Sequence, residues 1–207
     1  MQVQQNAVHQ AAGTVALSDE EAGRAHLYRL LGRLLGRAPS TKELANTALL
    51  TGDDSDMGSA IAMLATVAGK ANAADVEREY HDLFIGLGRG ELVPYASYYL
   101  TGFLHEKPLA KLRADMGELG IARAEGVKEP EDHIGALCEM MAGLILGQFG
   151  DAAPVEVQKA FFEKHIAPWA SHFFRDLEKA NASVFYAAVG RVGTVLMDVE
   201  DSAFSMV

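Results

Sequence analysis

Three carboxylates and an imidazole crowd one short segment, Glu129-Pro130-Glu131-Asp132-His133. Two kinds of chemistry suit it. An Asp beside a His can pass a proton, or the carboxylates can grip a guanidinium through bidentate, charge-assisted bonds. The proton-transfer reading needs a third group to orient the pair, and the sequence places none. Adjacent residues on a helix also point about 100° apart. The guanidinium reading needs only accessible charge. A plain structural reading covers the same residues: Pro130 sits where the first helical position belongs, and acidic groups at the positive end of a helix dipole each gain ~0.3–1 kcal/mol.

Other candidate chemistry is weaker. Gly86-Leu87-Gly88-Arg89-Gly90 lacks the Gly-Lys-Ser/Thr ending of a phosphate loop, and a helix pattern precedes it where a strand belongs. It reads as a plain loop. His165 and His172 would be about 10 Å apart on one helix, too far to share an ion, and Pro168 interrupts them. No His-Glu-x-x-His, Cys-x-x-Cys or Gly-x-Ser-x-Gly motif occurs. No catalytic or metal residue is assigned. The single cysteine, Cys138, lies between Leu137 and Met140-Met141 and reads as a buried thiol.

The elements that must position these residues read as helices throughout. Ser18 with Glu21, and Ser40 with Glu43, are capping boxes. Leu27, Leu30, Leu31, Leu34 and Leu35 follow the first at helical spacing, and Pro39 stops that helix. Further helical runs carry Ile61 and Leu64; Val76, Leu83 and Phe84; Leu109, Leu112 and Met116; Ile134 to Phe149; Val157 to Phe162; Trp169 to Leu177; and Val184 to Leu196. Alternating strand patterns are nearly absent, and no repeat of fixed period appears. The expected fold is all-α, a single bundle of about eight to ten helices over residues 18–196. Residues 1–17 read as a flexible arm, and residues 197–207, with Asp198, Glu200 and Asp201, as a loose acidic tail.

The chain has 207 residues, 49% hydrophobic and 22% charged, as expected of one globular domain. A net charge of -10 disfavours nucleic acid and favours a cationic partner. The first 17 residues hold no Lys or Arg and no apolar core, unlike a secretory signal. No run approaches the roughly 20 apolar residues of a membrane span. The expected location is therefore the cytoplasm, with no stable membrane insertion.

Four segments together resemble one family. Glu129-Pro-Glu-Asp-His-Ile134 followed by the amphipathic Leu137-Cys-Glu-Met-Met141, Tyr80-His-Asp-Leu-Phe-Ile-Gly-Leu-Gly88, Val93-Pro-Tyr-Ala-Ser-Tyr-Tyr99 and Phe161-Phe-Glu-Lys-His-Ile-Ala-Pro-Trp169 are similar to the signatures of the TorD/DmsD/NarJ redox-enzyme maturation chaperones. Each is short; four with family-like spacing, across residues 25 to 195, are specific. Only one proline, Pro94, precedes Tyr95, where many relatives have two.

The resemblance implies a non-enzymatic chaperone. Its partner would be the precursor of a molybdoenzyme catalytic subunit, held by its twin-arginine signal peptide or as apoprotein while the molybdenum cofactor is inserted and export is delayed. It implies no intrinsic cofactor, contact with a guanine nucleotide or molybdopterin guanine dinucleotide, and a monomer or a domain-swapped homodimer. Glu129, Pro130, Asp132 and His133 become the expected client contacts, with Asp132 and Glu129 gripping arginine and His133 making binding pH-dependent. Tyr95, Ser97 and Tyr98 are expected to form the facing wall, and Trp169 to lie in the core. A rival reading from another class is a guanine-nucleotide switch or hydrolase using residues 86–97.

Overall fold

The structure, a computed structural model, describes residues 17–123, 126 and 128–207. Among them are ten α-helices and no strand. They are α1 (Asp19–Gly36), α2 (Thr41–Thr47), α3 (Asp56–Lys70), α4 (Ala73–Tyr80), α5 (Ala96–Thr101), α6 (Lys107–Glu118), α7 (Ile134–Leu146), α8 (Val155–Phe161), α9 (Ala170–Lys179) and α10 (Phe185–Ser205). Single π-helical turns extend α4 over His81–Ile85 and α8 over Phe162–Ile166. Both expected capping boxes form: Ser18 and Ser40 accept from the amides of Glu21 and Glu43, whose carboxylates bond back.

The centre is α7, which buries residues around its whole circumference, Leu137, Cys138, Met141, Leu144 and Ile145 among them. A helix apolar all round must be enclosed. Its main neighbour is α1, and glycine sets their separation. A Cβ added to Gly135 would lie 3.0 Å from the Gly36 nitrogen and 3.2 Å from the Gly32 carbonyl oxygen. Thus the missing side chain of Gly135 lets the α7 backbone touch that of α1, whereas a Cβ on Gly36 would meet nothing within 4 Å. On the other side α10 packs on α9 and α3. There an added Cβ at Gly190 would come 2.8 Å from the Glu178 nitrogen. Trp169 is core, as expected, with its indole N–H donating to the His165 carbonyl at 2.9 Å.

The C-terminal residues depart from the reading as a loose tail. α10 continues without a break to Ser205, and Met197, Glu200 and Phe204 are buried on its inner face. The reason is a cation far away in sequence. Arg24 of α1 donates to Glu200 twice, Nε to Oε1 at 2.6 Å and Nη2 to Oε2 at 2.8 Å, and Tyr28 adds a hydroxyl at 3.0 Å. The Arg24 guanidinium also bonds Gln158 of α8 and lies 5.2 Å from the centre of the Phe204 ring. A carboxylate that marked a solvated end in the sequence is instead an internal tie between α1, α8 and α10. The proposed N-terminal arm falls, except for Leu17, outside the described residues; Leu17 packs against the core.

Candidate functional site

Pro130 does not open α7. The first helical residue is Ile134, and His133 caps the helix by accepting the Gly135 amide on Nδ1 at 3.0 Å. The preceding residues make a turn at Glu131-Asp132, and the chain from Asp132 to Ile134 pairs with residues 94–96. Ala96 N–H donates to the Asp132 carbonyl at 3.0 Å, Ile134 N–H to the Pro94 carbonyl at 2.9 Å, and Tyr95 and His133 form an antiparallel bridge. These long-range main-chain bonds hold the segment off the helix, so the carboxylates do not sit in the first turn of α7. The turn at Glu131-Asp132, closed by the His133 amide on the Pro130 carbonyl at 3.2 Å, separates the side chains. Glu129, Pro130, Glu131 and His133 line one cavity, and Asp132 lines another.

The first cavity is a groove of about 550 Å³, mostly apolar, walled by α1, the start of α7, Met116 and residues 121–123 and 129–131. Met116, Ile121, Met140 and Phe149 supply its floor, and Glu139 lies over Gly32, where any side chain would collide with it. Met and aromatic side chains make an adaptable apolar surface.

The three carboxylates have separate roles. Glu131 is taken up inside the molecule: Arg113 donates to it at 2.8 and 3.0 Å, and Arg123 lies 3.6 Å away. Burial acts to raise its carboxyl, but the bonds from Arg113 and the nearby guanidinium charges hold it below the usual carboxylate range. Asp132 is buried, and its Oδ2 accepts the Ser97 amide at 2.8 Å, capping α5. Its Oδ1 has no partner among the described residues. Glu129 is exposed at the groove, enters no ion pair among the described residues, and has its carboxyl raised by burial alone.

His133 differs from the expectation of a pH-dependent contact. Burial pushes its imidazole down to about 4, so it is neutral near pH 7. The Tyr95 ring meets it edge-on at 5.1 Å.

The expected residues are thus divided. Glu129, Pro130 and His133 share the groove. Tyr95 braces His133 from behind, and Ser97 is buried against Asp132. Tyr98 bonds Arg89 of the Gly-rich loop at 2.8 Å, with the guanidinium over its ring. The wall facing Glu129 is not Tyr95-Ser97-Tyr98; it comes from Gly32, Arg33, Gly36 and Arg37 of α1. Sequence reasoning missed α1, Glu139 and the arginines that neutralise Glu131.

The Gly-rich loop closes on its own helix. Gly86 N–H donates to the His81 carbonyl, and the amides of Glu91 and Leu92 donate to the carbonyls of Asp82 and Leu83. No helix among the described residues is long and apolar enough to cross a membrane.

Comparison with known proteins bears on this arrangement. The family model described as the nitrate reductase delta subunit matches residues 51–175. A TorD chaperone of Aliivibrio fischeri is 26% identical over 187 residues, 80% of this chain and 87% of the relative. A TorD chaperone of Vibrio cholerae serotype O1 is 27% identical over 125 residues, 57% of each chain, so that match spans little more than half of the relative's length. A solved redox enzyme maturation protein from Archaeoglobus fulgidus shares the fold, with a TM-score of 0.60 and 20% identity over 84% of this chain and 93% of its own. The helical fold around the 129–134 segment and the family match to residues 51–175 agree: the chain belongs to the nitrate reductase delta subunit family, the TorD/DmsD/NarJ group of redox-enzyme maturation proteins.

Proposed function

We propose that the protein is a non-catalytic chaperone that holds a molybdoenzyme precursor by the arginine-rich leader and the apolar stretch that follows it. One observation carries the reading: among the described residues Glu129 enters no ion pair, and it stands at an apolar groove where Arg37 and Glu131 are already paired. Around the groove, Arg37 is bound bidentately by Glu43, and Arg123 is engaged by Glu131 and the Glu129 carbonyl. That leaves Glu129 and Glu139 as the lining carboxylates with no ion pair among the described residues, beside an apolar floor. A guanidinium suits such a carboxylate, and a leader's apolar side chains suit the methionine- and aromatic-lined floor. Asp132 acts as a positioning residue here, because its carboxylate is turned away and fixes α5. The reading needs no bond-making and no nucleotide, and the 86–97 region offers it neither.

The test is calorimetry with a synthetic leader carrying two adjacent arginines and an apolar stretch, beside its Lys-Lys and Gln-Gln counterparts. Glu129→Gln should weaken the Arg-Arg peptide by roughly tenfold, the order expected for one charge-assisted contact. Affinity should also fall in acid, because the raised Glu129 carboxyl must shed its proton to pair with arginine. Equal affinity of wild type and Glu129→Gln for Arg-Arg, or of wild type for Arg-Arg and Gln-Gln, overturns the reading.

A further inference from the structure

The central helix α7 reaches the surface at one place. Of its thirteen residues only Glu139 is exposed, and Glu139 is also the only charged one. Ala136 and Leu146 are half-buried, and the remaining ten are buried. The surface that Glu139 meets is the groove.

Its own helix offers this carboxylate no partner. Side chains three and four residues away are the ones a helical residue can reach, and here they are Gly135, Ala136, Ala142 and Gly143. Across the helix contact lies Gly32 of α1. A Cβ there would stand 2.8 Å from Glu139 Cγ and 2.9 Å from its Oε1. The side chain therefore lies along the α1 backbone, in a notch that glycine leaves open. Arg33, the next residue of α1, lines the same groove but stays beyond ion-pair distance, and Glu139 enters no ion pair among the described residues. Apolar surface borders the notch. Met140 follows Glu139 into the groove, and the Phe149 ring packs on Gly143, one turn further along α7. A carboxylate in that place keeps its water only while the groove is empty. An apolar occupant strips the water away, and the ionised group then costs free energy unless the occupant also brings a donor.

We propose, resting on the reading of the groove as a leader site, that Glu139 is its second specificity-determining residue: it takes one of two adjacent guanidinium groups while Glu129 takes the other. In an extended peptide consecutive side chains point to opposite sides, so two neighbouring arginines need acceptors on different walls. Glu129 belongs to the segment before α7, and Glu139 is laid against α1, which forms the facing wall. One arginine would leave one of the two carboxylates desolvated and unpaired beside the leader's apolar stretch. The second arginine removes that cost. The groove thereby distinguishes two arginines from one, position by position, rather than sensing total charge.

Calorimetry with four synthetic leaders tests it: Arg-Arg, Arg-Gln, Gln-Arg and Gln-Gln at the paired position, each followed by the same apolar stretch. Wild type should bind Arg-Arg most tightly and lose roughly tenfold for each arginine replaced. Glu139→Gln should become indifferent to one of the two positions and keep its response to the other, and Glu129→Gln should show the reverse. Gly32→Ala keeps the charge but pushes the carboxylate out of its notch, and should blunt the response at the same position as Glu139→Gln. Glu139 is exposed and glutamine keeps its size, so folding is spared. A Glu139→Gln protein that responds to both positions as wild type does, or that weakens all four peptides alike, overturns the second acceptor; a loss of Arg-Arg affinity in Glu129→Gln would then leave the leader reading standing. Wild type that binds Gln-Gln as tightly as Arg-Arg overturns the leader reading and the second acceptor with it.

Discussion

Arg24 and Glu200 offer the sharpest test of how this bundle is held together. Glu200 has no exposed side-chain surface, and Arg24 keeps 14%. Changing Arg24 to Met leaves the Glu200 carboxylate buried with only the Tyr28 hydroxyl as donor. Removing one partner of a buried pair costs ~3–5 kcal/mol, a third or more of a typical domain's ~5–15 kcal/mol. Glu200→Gln should be milder, ~1–3 kcal/mol, because Arg24 keeps Gln158, the Phe204 ring and some water. The double change Arg24→Met/Glu200→Leu leaves no uncompensated charge and should cost less than Arg24→Met alone, since apolar replacement of a whole buried pair is often close to neutral. Urea unfolding followed by circular dichroism reads all three, with a slope m that should not change. Two results would refute the reasoning: a loss under ~1 kcal/mol for Arg24→Met, or a double variant as unstable as the sum of Arg24→Met and Glu200→Leu measured singly.

Two further outcomes follow from other tertiary ties. The Glu79 carboxylate accepts the amides of Val184, Phe185 and Tyr186 at 2.7–3.2 Å, capping α10 from α4; Glu79→Ala should cost ~1–2 kcal/mol and deprotect those three amides in hydrogen exchange, and unchanged protection would count against the cap. Burial holds the His133 imidazole at about 4 in the folded state, against ~6.5 unfolded. The unfolded chain therefore takes up the proton first, so stability is full above ~6.5 and is lost as pH falls toward 4. At pH 5 the loss is about 2 kcal/mol. His133→Asn keeps an acceptor for the Gly135 amide but cannot titrate, so its urea midpoint should fall less than wild type between pH 7 and 5; parallel curves would argue against a buried neutral imidazole.

Much of the helical order is legible in local chemistry. Ser18 and Ser40 with their glutamates, Pro108 at the head of α6 and Gly120 behind it all sit where short-range capping rules put them. The misreadings share one cause, which is that a distant backbone or charge decided the outcome. Pro130 looks like a helix start because nothing nearby shows that Asp132 and Ile134 will bond residues 94–96. Glu200 looks like a solvated end because its partner lies 176 residues earlier. The groove was half legible: the acidic segment stands out in sequence, while its facing wall on α1 is set by a glycine contact that only packing reveals. The family signature located the right segment; it carried no information on which carboxylate stays free.

That division follows from the turn at Glu131-Asp132 and the pairing of Asp132 and Ile134 with residues 94–96. Had residues 129–133 been helical, Glu129 would share a face with Asp132 and His133, at spacings of three and four, and every acidic group would bias the same surface. The pairing with residues 94–96 instead sends Glu129 and Glu131 to one side and Asp132 to the other. Intramolecular arginines then remove Glu131, and α5 claims half of Asp132. Among the described residues Glu129 then remains as the exposed carboxylate of this segment in no ion pair, beside methionine and phenylalanine at the groove.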